Sequence, residues 1–457
     1  MAENLPKYIV QGETARLFPV LSTTSKEGRT TSIVLACMSK VDELGRQLLS
    51  SAGQRLGTRA QVDTYTEIVP AKLPADVKER PDGLIAVRIG SREWKAFVEA
   101  KVGSSELDAD QVERYRSLAK ENGVDCVITI SNQFATMPTL HPDEGVRRSR
   151  SKIPVIHWSW MHILTAVDLL INRDAVADKD QLVLLNELRR FLSHESAGVK
   201  GFDRMPKEWS DLNRLVASGG AIPTKSPEAQ AVLDAWHQET RDLSLILSRL
   251  TETPVDQRLP RKHLTDPALR QKEELATLRE EKQLRVSLSI PNAAAPIDVV
   301  VDLARRCVDV GMTLRAPEEK KSTSARVNWL LKQIKPKETP NLHVKIMWPG
   351  KSAETQHLVS ELRRDVAVAN EGKEHLVPTS FQLVEVKSLG GRFAQQTNFI
   401  VDVEEIVPAF YRSYGSRLSA WKRPAPRMKD DRTNPADVTT EAIAEDAEAF
   451  EERNATE

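Results

Sequence analysis

Apolar and polar positions follow different rhythms along this chain, and the rhythm changes near residues 173 and 283. In the first stretch Val34, Leu35, Met38, Val41, Leu44 and Leu48 recur at the spacing of one helical face, which predicts a helix over Thr31–Leu49. Leu84-Ile85-Ala86-Val87-Arg88-Ile89 reads as a strand, and Gly90-Ser91 punctuates it. A second strand over Trp94–Val102 makes the pair a hairpin. Asp108–Lys120 has helical spacing and is stopped by Gly123. Val124–Ile130 and Pro154–Trp158 read as strands, and Trp160–Ile171 as an apolar helix. This order implies an α/β domain over residues 1–172, a mixed sheet flanked by helices.

Residues 173–282 read as a helical linker or scaffold. Ser226-Pro227-Glu228 supplies an N-cap, a first-turn proline and a first-turn acid, and Val232, Trp236, Leu243, Leu247 and Leu250 follow at helical spacing. Asp266-Pro267 opens a further helix by the same logic, and Ala217–Gly220 is a loop. Residues 283–421 read as a separate α+β domain. There Leu284–Ile290, Leu342–Met347 and Phe381–Val386 are strands, and Arg326–Ile334 and Val403–Tyr414 are helices. Val299–Val310 is compatible with helix or strand. Residues 422–457 carry prolines and then acids and alanines, the composition of a disordered tail.

Composition narrows the class. Lys+Arg and Asp+Glu both number 65, so charge alone does not bind this chain to nucleic acid, although a local basic groove is compatible with zero net charge. The three cysteines are far apart and the nine histidines form no ligand-like cluster, which speaks against a structural zinc site. Sparse cysteines suit a reducing compartment. The first ten residues lack the basic and apolar regions of a signal peptide, and no apolar run approaches the ~20 residues of a bilayer span. A cytoplasmic protein without a membrane partner is expected.

The candidate chemistry lies in the strand Glu93–Val102. Side chains alternate across a sheet, so Trp94, Ala96, Val98, Ala100 and Val102 form an apolar face while Glu99 and Lys101 share the other. Asp82, entering the neighbouring strand, can reach that face. Two carboxylates and the Ala100 carbonyl suit Mg²⁺ (or Mn²⁺), which takes hard oxygen ligands and keeps some waters. The plain alternative is a solvated strand face with a cross-charge pair.

Pro81-Asp82 followed by Glu99-Ala100-Lys101 resembles the PD-(D/E)xK nuclease superfamily, of restriction-endonuclease-like fold. Gln111-Val112-Glu113-Arg114-Tyr115 is similar to the Q-x-x-x-Y element that follows the lysine in RecB-like members. The resemblance covers roughly the first 170 residues. It implies Asp82, Glu99, Lys101 and Gln111 as catalytic residues. It implies Asp82, Glu99 and Glu13 as metal ligands, with Glu13 in the first predicted helix, where many members carry an extra acid. Gln111 and Tyr115, four apart on one helix face, would position nucleic acid. The implied activity is that of a Mg²⁺-dependent deoxyribonuclease in defence against foreign DNA or in repair. The alternatives are a catalytically inactive nuclease-fold module that binds nucleic acid, an RNase, and a non-enzymatic assembly protein. A homodimer is expected if both strands are cut.

Other features have a functional and a bland reading. Arg147-Arg148-Ser149-Arg150-Ser151-Lys152 is a basic loop in which Arg147 and Arg148 could grip phosphates, or a solvated loop. Trp158 and Trp160 could stack bases, but core packing is favoured. Lys320, Lys321, Arg326, Lys332, Lys335 and Lys337 form a basic stretch, and Gly390-Gly391-Arg392 a turn; a solvated surface is the default for both.

Overall fold

The apolar runs pair into two sheets in the computed structural model, which describes residues 5–19, 25–73 and 80–423. The first sheet comprises β1 (Ile9–Thr14), β2 (Gln61–Pro70), β3 (Gly83–Ile89), β4 (Arg92–Ala100), β5 (Cys126–Ser131) and β6 (Val155–Ser159), side by side in that order. β1 to β4 run antiparallel, and β4, β5 and β6 run parallel. Its helices are α1 (Lys26–Lys40), α2 (Asp42–Ser51), α3 (Ala109–Asn122), α4 (Glu144–Arg148) and α5 (Trp160–Asn172). The mixed sheet with helices is the coarse architecture that the periodicity implied.

The β3–β4 hairpin forms with Ile89 opposite Arg92, which leaves Gly90-Ser91 as its loop, Gly90 at a φ of 61°. Asp108 caps α3 by accepting from Asp110 N, and Gly123 ends it in the left-handed conformation.

Two expectations are corrected. Thr31–Leu49 is not one helix. Val41 is extended at φ −115° and ψ 101°, ending α1 and beginning α2. All six apolar positions that suggested one helix are buried, so the apolar stripe continues through the corner. Asp42 and Glu43 lie in the first turn of α2, where acids favour the helix dipole. The second correction concerns Glu13, which lies in strand β1 rather than in a helix.

The first sheet is buried on both faces. Ala96, Val98 and Ala100 pack with Val34, Leu35, Trp158 and Trp160 on one side. Leu84 and Phe97 pack with Val112, Tyr115 and Ala119 of α3 on the other.

The following helices are α6 (Lys179–Leu192), α7 (Lys207–Ala217), α8 (Pro227–Thr251), α9 (Arg261–Thr265) and α10 (Pro267–Glu281), with the short strand β7 (Asp256–Gln257) among them. Ser226 accepts from Ala229 N and Asp266 from Leu269 N, as their cap sequences imply. Leu185, Leu188 and Leu192 of α6 join the core of the first sheet. Trp209, Trp236, Leu243 and Leu247 of α7 and α8 share a core with the second sheet.

That sheet adds β8 (Gln283–Ser289), β9 (Ile297–Asp302), β10 (Cys307–Arg315), β11 (Leu342–Met347), β12 (Thr355–Leu358) and β13 (Ser380–Ser388). Its order is β12-β11-β13-β10-β9-β8-β7, antiparallel throughout. The accompanying helices are α11 (Thr323–Leu331), α12 (Val359–Arg364) and α13 (Gln396–Ser413). Val299–Val310 belongs to the β9–β10 hairpin, so its valines act as strand residues.

Met1–Ala420 forms one compact unit. The acidic tail beyond Arg423 lies outside the described residues. Among the described residues, no helix is long and apolar enough to cross a membrane.

Candidate active site

The β3–β4 ladder pairs Gly83 with Val98, so one step further along the same register Asp82 faces Glu99. The Asp82 carboxylate is fixed there because its Oδ2 accepts from Ala100 N at 2.8 Å. Gly83 permits the close approach. A Cβ on it would lie 2.7 Å from Leu35 Cδ1 and 2.9 Å from the Tyr65 carbonyl oxygen.

Glu99, near the end of β4, is only 1% exposed. Its Oε1 accepts from Lys101 Nζ at 2.6 Å, and the nearby Tyr115 hydroxyl also helps lower its pKa, while its buried Oε2 has no well-formed hydrogen bond among the described residues. Lys101 lies just past the strand, with its backbone held at both ends: its N–H donates to Ile130 O at 2.8 Å and its carbonyl accepts from Trp160 Nε1 at 2.7 Å. The ammonium also reaches Glu27 Oε1 at 3.1 Å.

Sequence reasoning did not single out Glu27. It sits in the first turn of α1, so the helix that covers the sheet delivers a third acid to the centre. The available signal was its position as an acid about two turns before the apolar stripe begins at Val34.

Burial pushes the Asp82 carboxyl well above its ordinary range, and the facing Glu99 adds to this. Burial also raises Glu99, against the opposing pull of Lys101. For Lys101, burial favours the neutral amine, but Glu99, Asp82 and Glu27 outweigh it and drive the pKa up. Lys101 is therefore a fixed ammonium at neutral pH, a donor of charge and hydrogen bonds rather than a base.

Gln111 and Tyr115 meet on α3 as expected from their spacing, with Gln111 Nε2 donating to the Tyr115 hydroxyl at 3.1 Å. Tyr115 is 1% exposed and donates to the Arg80 carbonyl at 2.9 Å. Burial first, then the nearby Glu99 charge, raise its pKa. In this arrangement the pair grips the chain two residues before Asp82.

The remaining sequence candidates lie elsewhere or are otherwise engaged. Glu13 pairs with Arg16 at 3.0 Å, and the acid that reaches Lys101 is Glu27. Arg147 and Arg148 lie in the short helix α4, not in a loop. Arg147 donates to the carbonyls of His141 at 2.8 Å and Pro142 at 2.6 Å, and Arg148 pairs with Glu144 at 2.6 Å. Both line a cleft of about 380 Å³ with Phe134, His237 and Arg270.

Trp158 and Trp160 are fully buried core residues. Burial lowers the pKa of both His157 and His162 to about 3, which keeps them neutral. Arg326 donates to the carbonyls of Lys320 and Pro378, and Arg392 makes a two-armed pair with Asp402, so both have local structural partners.

Among the described residues, no three or more His, Cys, Asp or Glu side chains converge as a metal-ligand group. The candidate centre offers two facing carboxylates, and Mg²⁺ is commonly held by one or two while retaining waters. A divalent cation would relieve the mutual repulsion that helps raise Asp82. The donor set fits such an ion. No family model, curated protein or solved structure matches the chain.

Proposed function

We propose that the chain is a metal-dependent nuclease that hydrolyses phosphodiester bonds in DNA, with a restriction-endonuclease-like domain in residues 1–172. The observation that carries this reading is the convergence of two buried carboxylates on one ammonium. Glu99 lies opposite Asp82 and accepts from Lys101, and burial raises both carboxyls. Two acids held this close repel each other unless a cation stands between them.

Asp82, Glu99 and the Ala100 carbonyl would hold Mg²⁺ or Mn²⁺. The ion would polarise a phosphoryl oxygen and supply an acidified water. Lys101 stands beside this position as a permanent cation, suited to neutralising charge on the phosphoryl group and orienting the incoming water. Glu27 and Glu99 hold the ammonium from two elements, so it does not swing into solvent. Gln111 and Tyr115 fix the approach to Asp82 through Arg80. Hydrolysis joins the oxygen of water to phosphorus and breaks one backbone P–O bond. A proton is delivered to the leaving oxygen.

The reading is tested by digesting single- and double-stranded DNA and RNA in Mg²⁺ and in Mn²⁺, with Asp82→Ala as the control. DNA cleavage that disappears in the variant supports it. Cleavage of RNA alone would make the chain an RNase. Nucleic-acid binding with no cleavage and no metal uptake would make it a binding module.

A further inference from the structure

One short segment touches both α1, which carries Glu27, and the loop just after β4, which carries Lys101. After α6 the chain runs through a single 3-10 turn, Glu195–Ala197, and on to Phe202. The Ala197 carbonyl accepts from Thr30 Oγ1 at 3.0 Å, three residues after Glu27 on α1. The Gly198 carbonyl accepts from Gly103 N at 2.8 Å, two residues after Lys101.

Asn132, just past β5, ties these contacts together. Its Nδ2 donates to Gly103 O at 3.0 Å and to Gly198 O at 2.9 Å, and its Oδ1 accepts from Lys200 N at 2.9 Å. At the far end of the segment, Phe202 N donates at 2.6 Å to Oδ2 of Asp242, a buried residue of α8. α8 also contributes Trp236, Leu243 and Leu247 to the core under the second sheet.

We propose that Glu195–Phe202 is a strap that positions the catalytic centre, fastened in its middle by Asn132 and at its far end by Asp242. This rests on the nuclease reading of the site. The Lys101 ammonium must sit between Glu99 on β4 and Glu27 on α1, two elements with no covalent proximity. The strap bonds beside both, at Gly103 and at Thr30, and thereby fixes their separation. Because its far end is held by α8, the packing of the second core reaches the centre through it. Asn132 and Asp242 are positioning residues in this scheme, since neither contacts Asp82, Glu99 or Lys101 among their hydrogen bonds.

Four variants of the full chain test the strap. Asn132→Asp keeps the size and the acceptor for Lys200 N but sets a carboxylate against two carbonyls. Asp242→Ala removes the acceptor for Phe202 N, and Asp242→Asn retains one. Gly198→Ala displaces the strap from its other side, because Gly198 has a φ of 71° and an added Cβ would lie 3.0 Å from Val102 Cβ.

A misplacement of about 1 Å can cost on the order of a hundredfold in rate, so kcat on DNA is expected to fall at least about tenfold in Asn132→Asp, Asp242→Ala and Gly198→Ala. KM for DNA should stay within about twofold, and Asp242→Asn should recover most of the rate. Unchanged kcat in the three disruptive variants overturns the proposal. So does a loss of activity that Asp242→Asn fails to recover, or one that merely parallels the loss of folded protein.

Amide exchange at Gly103 gives a readout independent of catalysis: Asn132→Asp should speed it, and unchanged protection also overturns the strap. If the wild type cuts nothing, the nuclease reading fails, and the exchange measurement alone decides the strap.

Discussion

Glu27 and Lys101 are 74 residues apart in sequence, yet their carboxylate and ammonium meet at 3.1 Å. With Glu99 on its other side, Lys101 is held in a fixed place between a helix and a strand. Such two-sided restraint suits a group that must be present and charged whenever a substrate arrives.

The first prediction separates Glu27 from Glu13. Glu27→Gln removes one of the two carboxylates that hold Lys101, so kcat on DNA should fall roughly tenfold or more. Glu13 pairs with Arg16 on the surface, and Glu13→Gln should leave kcat within about twofold. Initial cleavage rates of both variants at saturating DNA decide it. The reverse order would return Glu13 to the centre.

Glu13 and Glu27 also show where the sequence was legible. Strand alternation alone places Glu99 and Lys101 on one face, and the hairpin brings Asp82 opposite, because both follow from local periodicity and a two-residue loop. Gln111 and Tyr115 follow equally directly from helical spacing. The meeting of Glu27 with Lys101 depends instead on how α1 lies over the sheet, which no local pattern encodes. β1 and β2 were obscured for a similar reason. In β2 the buried positions include Thr64, a polar residue whose hydroxyl donates to the Leu35 carbonyl at 2.9 Å, so its alternation does not read as apolar against polar. The break at Val41 was hidden because the apolar stripe runs through it.

A second prediction concerns the energetic cost of the facing acids. Asp82→Asn keeps an acceptor for Ala100 N while removing a charge that burial and Glu99 both oppose. In EDTA at about pH 8 the variant should be more stable than the wild type, by on the order of 1 kcal/mol. The wild type should gain thermal stability on adding Mg²⁺, by about 2.7 kcal/mol when the ion stands at a hundred times its Kd, and the variant should gain much less. Scanning calorimetry with and without the metal measures both effects. Equal Mg²⁺ shifts in the two proteins would count against Asp82 as a ligand.

The third prediction tests the close approach behind the site. An added methyl at Gly83 would lie 2.7 Å from Leu35 Cδ1 and 2.9 Å from the Tyr65 carbonyl. Overpacking of this kind typically costs about 1–3 kcal/mol. Gly83→Ala should lower the urea midpoint accordingly and reduce cleavage as well, because Asp82 moves with its neighbour. A variant of wild-type stability and rate would show that the strand yields freely there.

The fourth prediction is a pH dependence of stability that arises away from the centre. Burial, the larger cause in each case, raises Asp242 to about 6 and Glu404 to about 7. Asp242 faces Phe202 N, Arg249 and Arg241, while Glu404 faces Asp242 and Arg249. Arg249 is also next to Asp168 on α5, and Glu239 of α8, raised by burial, sits with Asp242 and Glu404.

Raised carboxyl pKa values mean that the folded chain holds these protons more tightly than the unfolded chain does. Their contribution is complete below the unfolded pKa values of about 4, is lost as pH climbs to about 7, and changes little above that. Replacing them together, as Asp242→Asn with Glu404→Gln, should flatten the urea-derived stability between about pH 5 and pH 7.5 relative to the wild type. An identical pH slope in both proteins would contradict the assignment.

The central claim is that Asp82, Glu99 and Lys101 form one metal-dependent centre that cuts DNA. Its most direct test is plasmid cleavage in Mg²⁺ and in EDTA by the wild type, Asp82→Ala and Lys101→Ala. The expected result is cleavage by the wild type in Mg²⁺ only, with losses of about a hundredfold or more in both variants. Cleavage that persists in EDTA, or unchanged cleavage by both variants, would contradict it.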